Sequence, residues 1–277
     1  MNKRLMFLDV RSFTDIMAAY NSIGIKFRHC IDGGAGAGHT ASSMLPFMKK
    51  DGIVFAFEPF PGNFPFFDRV DSSQIKLIKK AMYNKSDSKK LFVSSTVEEG
   101  SSWAKHGMVG YSSLGFIEHS PEIRDPSKLY EVTCCAADEE ISARDKIDFV
   151  KLDLQGGELN ALRGMKRIIF EPYFLWIEFT GQNGLLELLY ESEFIIFETV
   201  YLMYGDNPDM AGESFTFLYK ADLSTGAPAY YARRNKPWGK DFHDEFNEAQ
   251  KKYGLIQTDI ICVHPANYKL FNKAITG

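Results

Sequence analysis

Asp32 stands immediately before Gly33 and Gly34, and Gly36 and Gly38 follow closely. The run before it, Phe27-Ile31, is β-prone, and a helix is expected to begin near Thr40, so the glycines fall in a strand-to-helix turn. Glycine has no Cβ, so a ligand can approach the backbone of such a turn closely. Glu58, 26 residues beyond Asp32, ends a second apolar run, Ile53-Phe57. A carboxylate at the tip of a second strand is placed to accept two hydrogen bonds from a ribose. Two adenosine-containing cofactors suit this pair: a nicotinamide dinucleotide and an aminoacyl-adenosine sulfonium. Gly36-Ala37-Gly38-His39-Thr40-Ala41 satisfies the relaxed dinucleotide pattern G-x-G-x-x-A. Asp32 argues the other way. A pyrophosphate wants amides and no neighbouring carboxylate, whereas an ammonium or sulfonium is attracted to one. S-adenosyl-L-methionine is therefore the expected cofactor. An NAD-dependent oxidoreductase is the main alternative, and a non-catalytic adenosyl-cofactor-binding protein is the alternative outside enzymology.

A second block runs from Ile147 to Glu158. Its strand carries Asp153 out at the carboxyl end, where ligands of open α/β sheets bind. Glu158 falls in the first turn of the following helix, as a cap and dipole partner or as a residue that orients the site. Glu178 lies near the end of the next strand, Phe174-Phe179. Methyl transfer is an in-line displacement that depends on positioning and electrostatics, and an alcohol acceptor also needs somewhere to send its proton. Asp153 is the first choice for that role and Glu178 the second. His39, His106 and His119 titrate in the right range but are lone histidines. Asp153 and Glu178 with water could hold a hard cation, yet no metal spacing is present and no metal is expected.

In their order and spacing these blocks resemble the FkbM family of S-adenosylmethionine-dependent methyltransferases, over roughly Phe27 to Val200. Ile31 to Gly38 is similar to the family's V-D-V-G-A-N-I-G, and Phe57-Glu58-Pro59 with Pro61 and Asn63 to its F-E-P-x-P-x-N. Ile147 to Gly164 is similar to I-D-F-I-K-I-D-V-E-G-A-E-x-x-V-L-R-G, and Ser112-Ser113-Leu114 to a short S-S-L element. The resemblance implies a methyltransferase acting on a hydroxyl of a sugar, glycan or related natural product. Asp32, Gly34 and Gly38 are assigned to the aminoacyl side of the cofactor and Glu58 to its ribose, with Gly36 also among the cofactor-binding residues. Ala81 and Met82, after the third strand, are expected near the adenine edge. Three residues depart from the pattern: Gly36 replaces an Asn, Gln155 a Glu, and Gly157 a residue with a side chain. Gln155 removes a charge beside the site.

The elements that must hold these residues alternate. β-rich runs at Phe27-Ile31, Ile53-Phe57, Ile75-Ile78, Ile147-Leu152, Phe174-Phe179 and Phe194-Tyr201 are separated in several places by helical stretches, among them Asn160-Ile169 and Gly184-Glu191. Strands alternating with helices predict a doubly wound, mostly parallel Rossmann-like sheet of the class I methyltransferase type. An antiparallel last strand is expected at Thr258-Val263. The chain reads as a single domain over 1–277. A helical cap covers 1–26, a β-rich insertion 84–139 and an aromatic-rich insertion or lid 205–257. Pro46 predicts an early end for the helix after the glycine turn. The segment 205–257 holds the cluster Arg233-Arg234-Asn235-Lys236-Pro237-Trp238, a candidate phosphate contact.

The 277 residues are 45% hydrophobic and 25% charged, which excludes disordered and fibrous classes. A net charge of -4 argues against generic nucleic-acid binding, leaving a small-molecule or glycan acceptor as the expected partner. No apolar run approaches the ~18 residues of a membrane span, and no export signal is expected. Cys30, Cys134, Cys135 and Cys262 lack metal or redox spacing and are expected as reduced thiols of a cytoplasmic protein. Composition says nothing of oligomeric state.

Overall fold

The computed structural model of the chain describes residues 6–70, 73–94, 124–204, 215–220, 229–235, 246, 248 and 256–277. Among these, the strands are β1 (Met6–Phe7), β2 (Phe27–Gly33), β3 (Met48–Phe57), β4 (Ile75–Ile78), β5 (Ala81–Met82), β6 (Asp87–Ser94) and β7 (Arg124–Cys135). They continue as β8 (Phe149–Leu152), β9 (Phe174–Phe179), β10 (Ile195–Tyr204), β11 (Phe215–Lys220), β12 (Ala229–Arg234) and β13 (Ile256–Val263). The helices are α1 (Phe13–Ser22), α2 (His39–Met44), α3 (Phe64–Phe67), α4 (Ala137–Glu140), α5 (Glu158–Arg163), α6 (Leu185–Glu191) and α7 (Pro265–Thr276).

The main sheet runs β11-β12-β10-β13-β9-β8-β2-β3-β4. From β4 to β9 every pairing is parallel. Every residue of β8 and of β9 is buried, the pattern of strands covered on both faces. On one face α1, α2 and α7 pack Ile16, Met17, Ala41, Met44, Phe271 and Ala274 against Phe149, Phe174 and Trp176 of the sheet. On the other, α4, α5 and α6 pack Ala137, Leu162, Leu185 and Leu189 against Val150, Leu152, Leu175 and Ile177. Each buried Leu, Ile or Phe contributes about 1.5–3 kcal/mol. Ser12 accepts from the Thr14 amide and starts α1. Pro46 ends α2 early, as expected, in a 3-10 turn at Leu45–Phe47.

The antiparallel part is larger than one last strand. β13 lies antiparallel between β9 and β10, and β12 and β11 extend the sheet beyond β10. β11 and β12 fall where the sequence read as irregular. Four of the six residues of each are apolar, but the runs are short, exposed or half-buried positions are interspersed, and β12 ends in Arg233-Arg234, so neither stands out as a core strand. α7 was likewise unmarked, because few of its residues face the core.

Two further expectations shift. Ala81 and Met82 do not continue the third strand; they pair in parallel with Cys134 and Cys135 in a separate sheet of order β5-β7-β6. The adjacent cysteines face opposite sides, Cys134 toward Leu91 and Val132 and Cys135 toward the main core. The expected helix over Asn160-Ile169 stops at Arg163 and resumes as a single turn, Ile168–Phe170. Gly164 divides them, since a Cβ there would lie 2.0 Å from the Tyr83 carbonyl oxygen.

Candidate active site

The candidate residues gather at the carboxyl ends of β2, β8 and β9. There the chain passes from β2 to β3 on one side and β8 pairs on the other, which makes this the crevice of an open α/β sheet. The glycine turn is built by its backbone. The amides of Gly34 and Ala35 donate to the Phe57 carbonyl oxygen at 3.1 and 3.0 Å, and the Gly38 amide to that of Ala35 at 2.8 Å. Gly34 has φ +79°, and a Cβ there would sit 1.9 Å from the Asp153 carbonyl oxygen, so this glycine lets two strand ends touch. Gly36 also lies in the left-handed region, at φ +54°, but no atom is within 4 Å of where its Cβ would be. It is the open position of the turn. Gly38 caps α2 from beneath the Phe67 ring.

Asp32 is fully buried, and neither carboxylate oxygen has a hydrogen-bond partner. The Lys151 Nζ is 3.9 Å away. Burial raises this carboxyl to about 6, and Lys151 and the nearby Ala41 amide, too loosely placed to count as a full hydrogen bond, offset only part of the rise. A buried charge without donors is costly, so the position suits a cationic group arriving from outside. Glu58 is satisfied: Oε2 accepts from the Gly36 amide and Oε1 from the Phe60 amide, each at 2.8 Å. Burial still pushes it up to about 7 against those bonds. In this arrangement Glu58 braces the glycine turn.

Beside them lies a second cluster. Asp153 Oδ2 is 3.1 Å from Lys151 Nζ, and the Gln155 side-chain amide donates to Asp153 Oδ1 at 2.7 Å and Glu178 Oε2 at 2.9 Å. Burial alone would raise Asp153, but Lys151 and Gln155 outweigh it and hold the carboxyl below its usual value. Glu178 is driven well above the usual carboxyl range by burial and then by Asp153, to which its side chain also hydrogen-bonds, so its neutral form is favoured. Asp259, the register partner of Glu178 on β13, is raised to about 7 by burial and then by Asp153. Two carboxyls side by side thus have opposite tendencies, the pattern of an acid and a base. Asp153 is partly open, its side chain keeping 38% of its surface exposed against 10% for Lys151, and Gln155 and Asp259 are half-buried as well.

Glu158 holds the connecting loop. Its Oε1 accepts from the Leu154 amide at 2.6 Å and the Gly156 amide at 3.4 Å, and its Oε2 from Gln182 at 3.0 Å. Burial raises it to about 7.

The structure brings together Asp32, Gly34, Asp153 and Glu178, and joins Gly36 to Glu58. Ala81 and Met82 are buried; the Met82 sulfur would meet a Cβ on Gly33 at 2.7 Å and so packs beneath the turn. Lys151, Asp259 and Gln182 were not singled out from the sequence. Lys151 did carry a signal, being the lone charge inside the otherwise apolar β8, whereas Asp259 follows Gln257 and Thr258 and stood out less. Arg234 is unavailable to a phosphate, because Nη2 lies 2.6 Å from each carboxylate oxygen of the buried Glu198, and Tyr201 donates to the same carboxylate. His106, His119, Ser112-Ser113-Leu114, Lys236-Pro237-Trp238 and most of 205–257 lie outside the described residues. Among the described residues no three His, Cys, Asp or Glu are arranged to hold a metal ion, and no helix is long and apolar enough to cross a membrane.

Residues 32–203 match the family model described as the methyltransferase FkbM domain. No curated protein matches the chain. Solved structures similar to it include a methyltransferase FkbM from Methylobacillus flagellatus, at 17% identity and TM-score 0.43 over 80% of this chain and 48% of that one. The chain thus spans about half the length of that protein. A precorrin-6y C5,15-methyltransferase from Geobacter metallireducens is similar at 10% identity and TM-score 0.42, over 93% and 94% of the two chains. A putative rRNA-methylase from Clostridium thermocellum is similar at 9% identity and TM-score 0.37, over 83% and 99%.

Proposed function

The chain belongs to the FkbM methyltransferase domain family, and from that premise we propose that it methylates a hydroxyl on a sugar, glycan or related natural product, using S-adenosyl-L-methionine. The observation that carries this reading is Asp32, buried, without a hydrogen-bond donor, and next to the open turn at Gly36. An ammonium group supplies what Asp32 lacks, and a pyrophosphate would not. The residues present therefore fit the cofactor, which when bound supplies a methyl group on a cationic sulfur. Asp32 and the backbone around Gly36 hold its aminoacyl part. Glu58 would reach the ribose only by sharing its bond with the Gly36 amide, since both its oxygens already accept backbone amides.

The acceptor hydroxyl approaches Asp153, a partly open carboxyl of the cluster. The acceptor's hydroxyl proton would pass to Asp153, which Lys151 and Gln155 favour in its ionised form, as the methyl group leaves the cofactor's sulfonium, whose C–S bond breaks to give a neutral thioether. Glu178, whose neutral form burial and Asp153 favour, competes less for it. Carboxyls line this end of the sheet, and with the net charge of -4 they disfavour a polyanionic acceptor. A transfer screen with radiolabelled methyl donor tests the reading against oligosaccharides, lipid-linked sugars, small alcohols and RNA. Label in a hydroxyl of a sugar-containing acceptor is the expected result. Label in RNA alone would overturn the acceptor class, and no label in any acceptor would leave a cofactor-binding protein without turnover.

A further inference from the structure

Gln155 occupies a position where the family pattern has Glu. Its backbone is left-handed, at φ +52°, a conformation that residues with side chains rarely adopt and that costs energy unless the surroundings enforce it. Here Gly156 follows at φ +93°, and Glu158 ties down the amides on both sides of Gln155. The loop is thus held in the conformation that turns the carboxamide back toward β8 and β9. Its nitrogen lies 2.7 Å from Asp153 and 2.9 Å from Glu178. Both partners are carboxyl oxygens, so one NH2 group bridges them with its two hydrogens.

We infer that Gln155 is a positioning residue that joins Asp153 and Glu178 into one proton-holding pair, and that its amide takes the place a divalent cation or an extra proton would fill if this residue were Glu. The inference rests on the reading of Asp153 as proton acceptor. A glutamate here would set three carboxyls around one point, with Asp32 on β2, Asp259 on β13 and Glu158 on α5 also close and, among the described residues, Lys151 as the counter-charge. Like charges so placed cannot all ionise, and they are relieved by a bound proton or by a hard cation with oxygen ligands. The amide hydrogens of Gln155 instead point partial positive charge into that space and exclude a cation from it.

The test uses the full chain and its Gln155→Glu and Gln155→Asn variants, with two readouts. The first is Mn2+ binding, by titration of free Mn2+ with paramagnetic resonance. Gln155→Glu is expected to bind Mn2+ and the parent not; Mn2+ binding by the parent at this site, or none by a folded Gln155→Glu, overturns the inference. The second is the pH profile of methyl transfer. The acid limb of Gln155→Glu is expected to move up by about one pH unit, with partial recovery in Mg2+, while the parent is unaffected by chelator. An unmoved limb, or a parent inactivated by chelator and restored by Mg2+, contradicts it. Should Gln155→Glu not fold, Gln155→Asn carries the test: its shorter amide reaches one carboxyl, and kcat should fall about tenfold or more with cofactor affinity unchanged. An unchanged kcat overturns the inference. If the parent transfers no methyl group at all, the functional reading fails, and Mn2+ binding still judges Gln155 by itself.

Discussion

Asp153 and Glu178 are chemically similar side chains at neighbouring strand ends, and their surroundings push them apart. Lys151 at 3.1 Å and the Gln155 amide at 2.7 Å favour the charged form of Asp153, while burial and the nearby carboxylates favour the neutral form of Glu178. Removing the charge without changing the shape should therefore separate chemistry from binding. Asp153→Asn is expected to lower the methyl-transfer rate by about 10²–10⁴-fold, the usual contribution of a positioned base. Its affinity for S-adenosylhomocysteine should stay within a few-fold of the parent's, read by calorimetry. A full transfer rate in Asp153→Asn would move the proton-accepting role to another group.

The elements around the site answer to backbone geometry more than to side-chain chemistry. Gly34 and Gly36 both have positive φ, but they differ in what surrounds them. At Gly34 a Cβ collides with the Asp153 carbonyl oxygen, so Gly34→Ala must push β2 and β8 apart at the site. A loss of about 3 kcal/mol or more is expected in denaturant unfolding, at the upper end of overpacking costs. At Gly36 the space is open, and Asn tolerates the left-handed region better than other residues with side chains. Gly36→Asn should change stability by less than about 1 kcal/mol. Equal losses at the two positions would contradict this account of the turn. The parallel strands were legible in the sequence because strands buried on both faces are mostly continuous apolar runs. The acidic residues at or near their ends, Asp32, Glu58, Asp153 and Glu178, could be singled out by that position. β11 and β12 have only short apolar runs broken by exposed positions, and Asp259 follows the polar Gln257-Thr258, so these were not legible. Lys151 was a lone charge in an apolar run, and one of its partners, Asp32, lay elsewhere in the chain. The bridging by Gln155 depends on a left-handed loop that residue types alone do not announce.

For the whole molecule, the buried carboxyls set how stability responds to pH. Glu58, Glu158 and Asp259 are raised to about 7 and Asp32 to about 6, so the folded chain holds more protons than the unfolded chain from about pH 4 to 7. Stability from these groups is greatest at the acid end of that window and is lost as pH rises through the folded values. The depressed Asp153 acts below this window and the raised Lys151 above it. The melting temperature of the ligand-free chain is therefore expected to fall between pH 5.5 and 8. Glu158→Gln, which keeps an acceptor oxygen for the Leu154 amide, should flatten that fall. A melting temperature that rises across the window would show these carboxyls to be ionised in the folded chain. The same logic links the site to its donor, since a cation beside Asp32 favours its ionised form. The most direct measurement is calorimetric titration of the parent chain and Asp32→Asn with S-adenosylhomocysteine and, separately, with NAD. The account predicts binding of the thioether nucleoside, weakened about tenfold or more in Asp32→Asn, and no comparable binding of NAD. Tight binding of NAD with none of the nucleoside would contradict it.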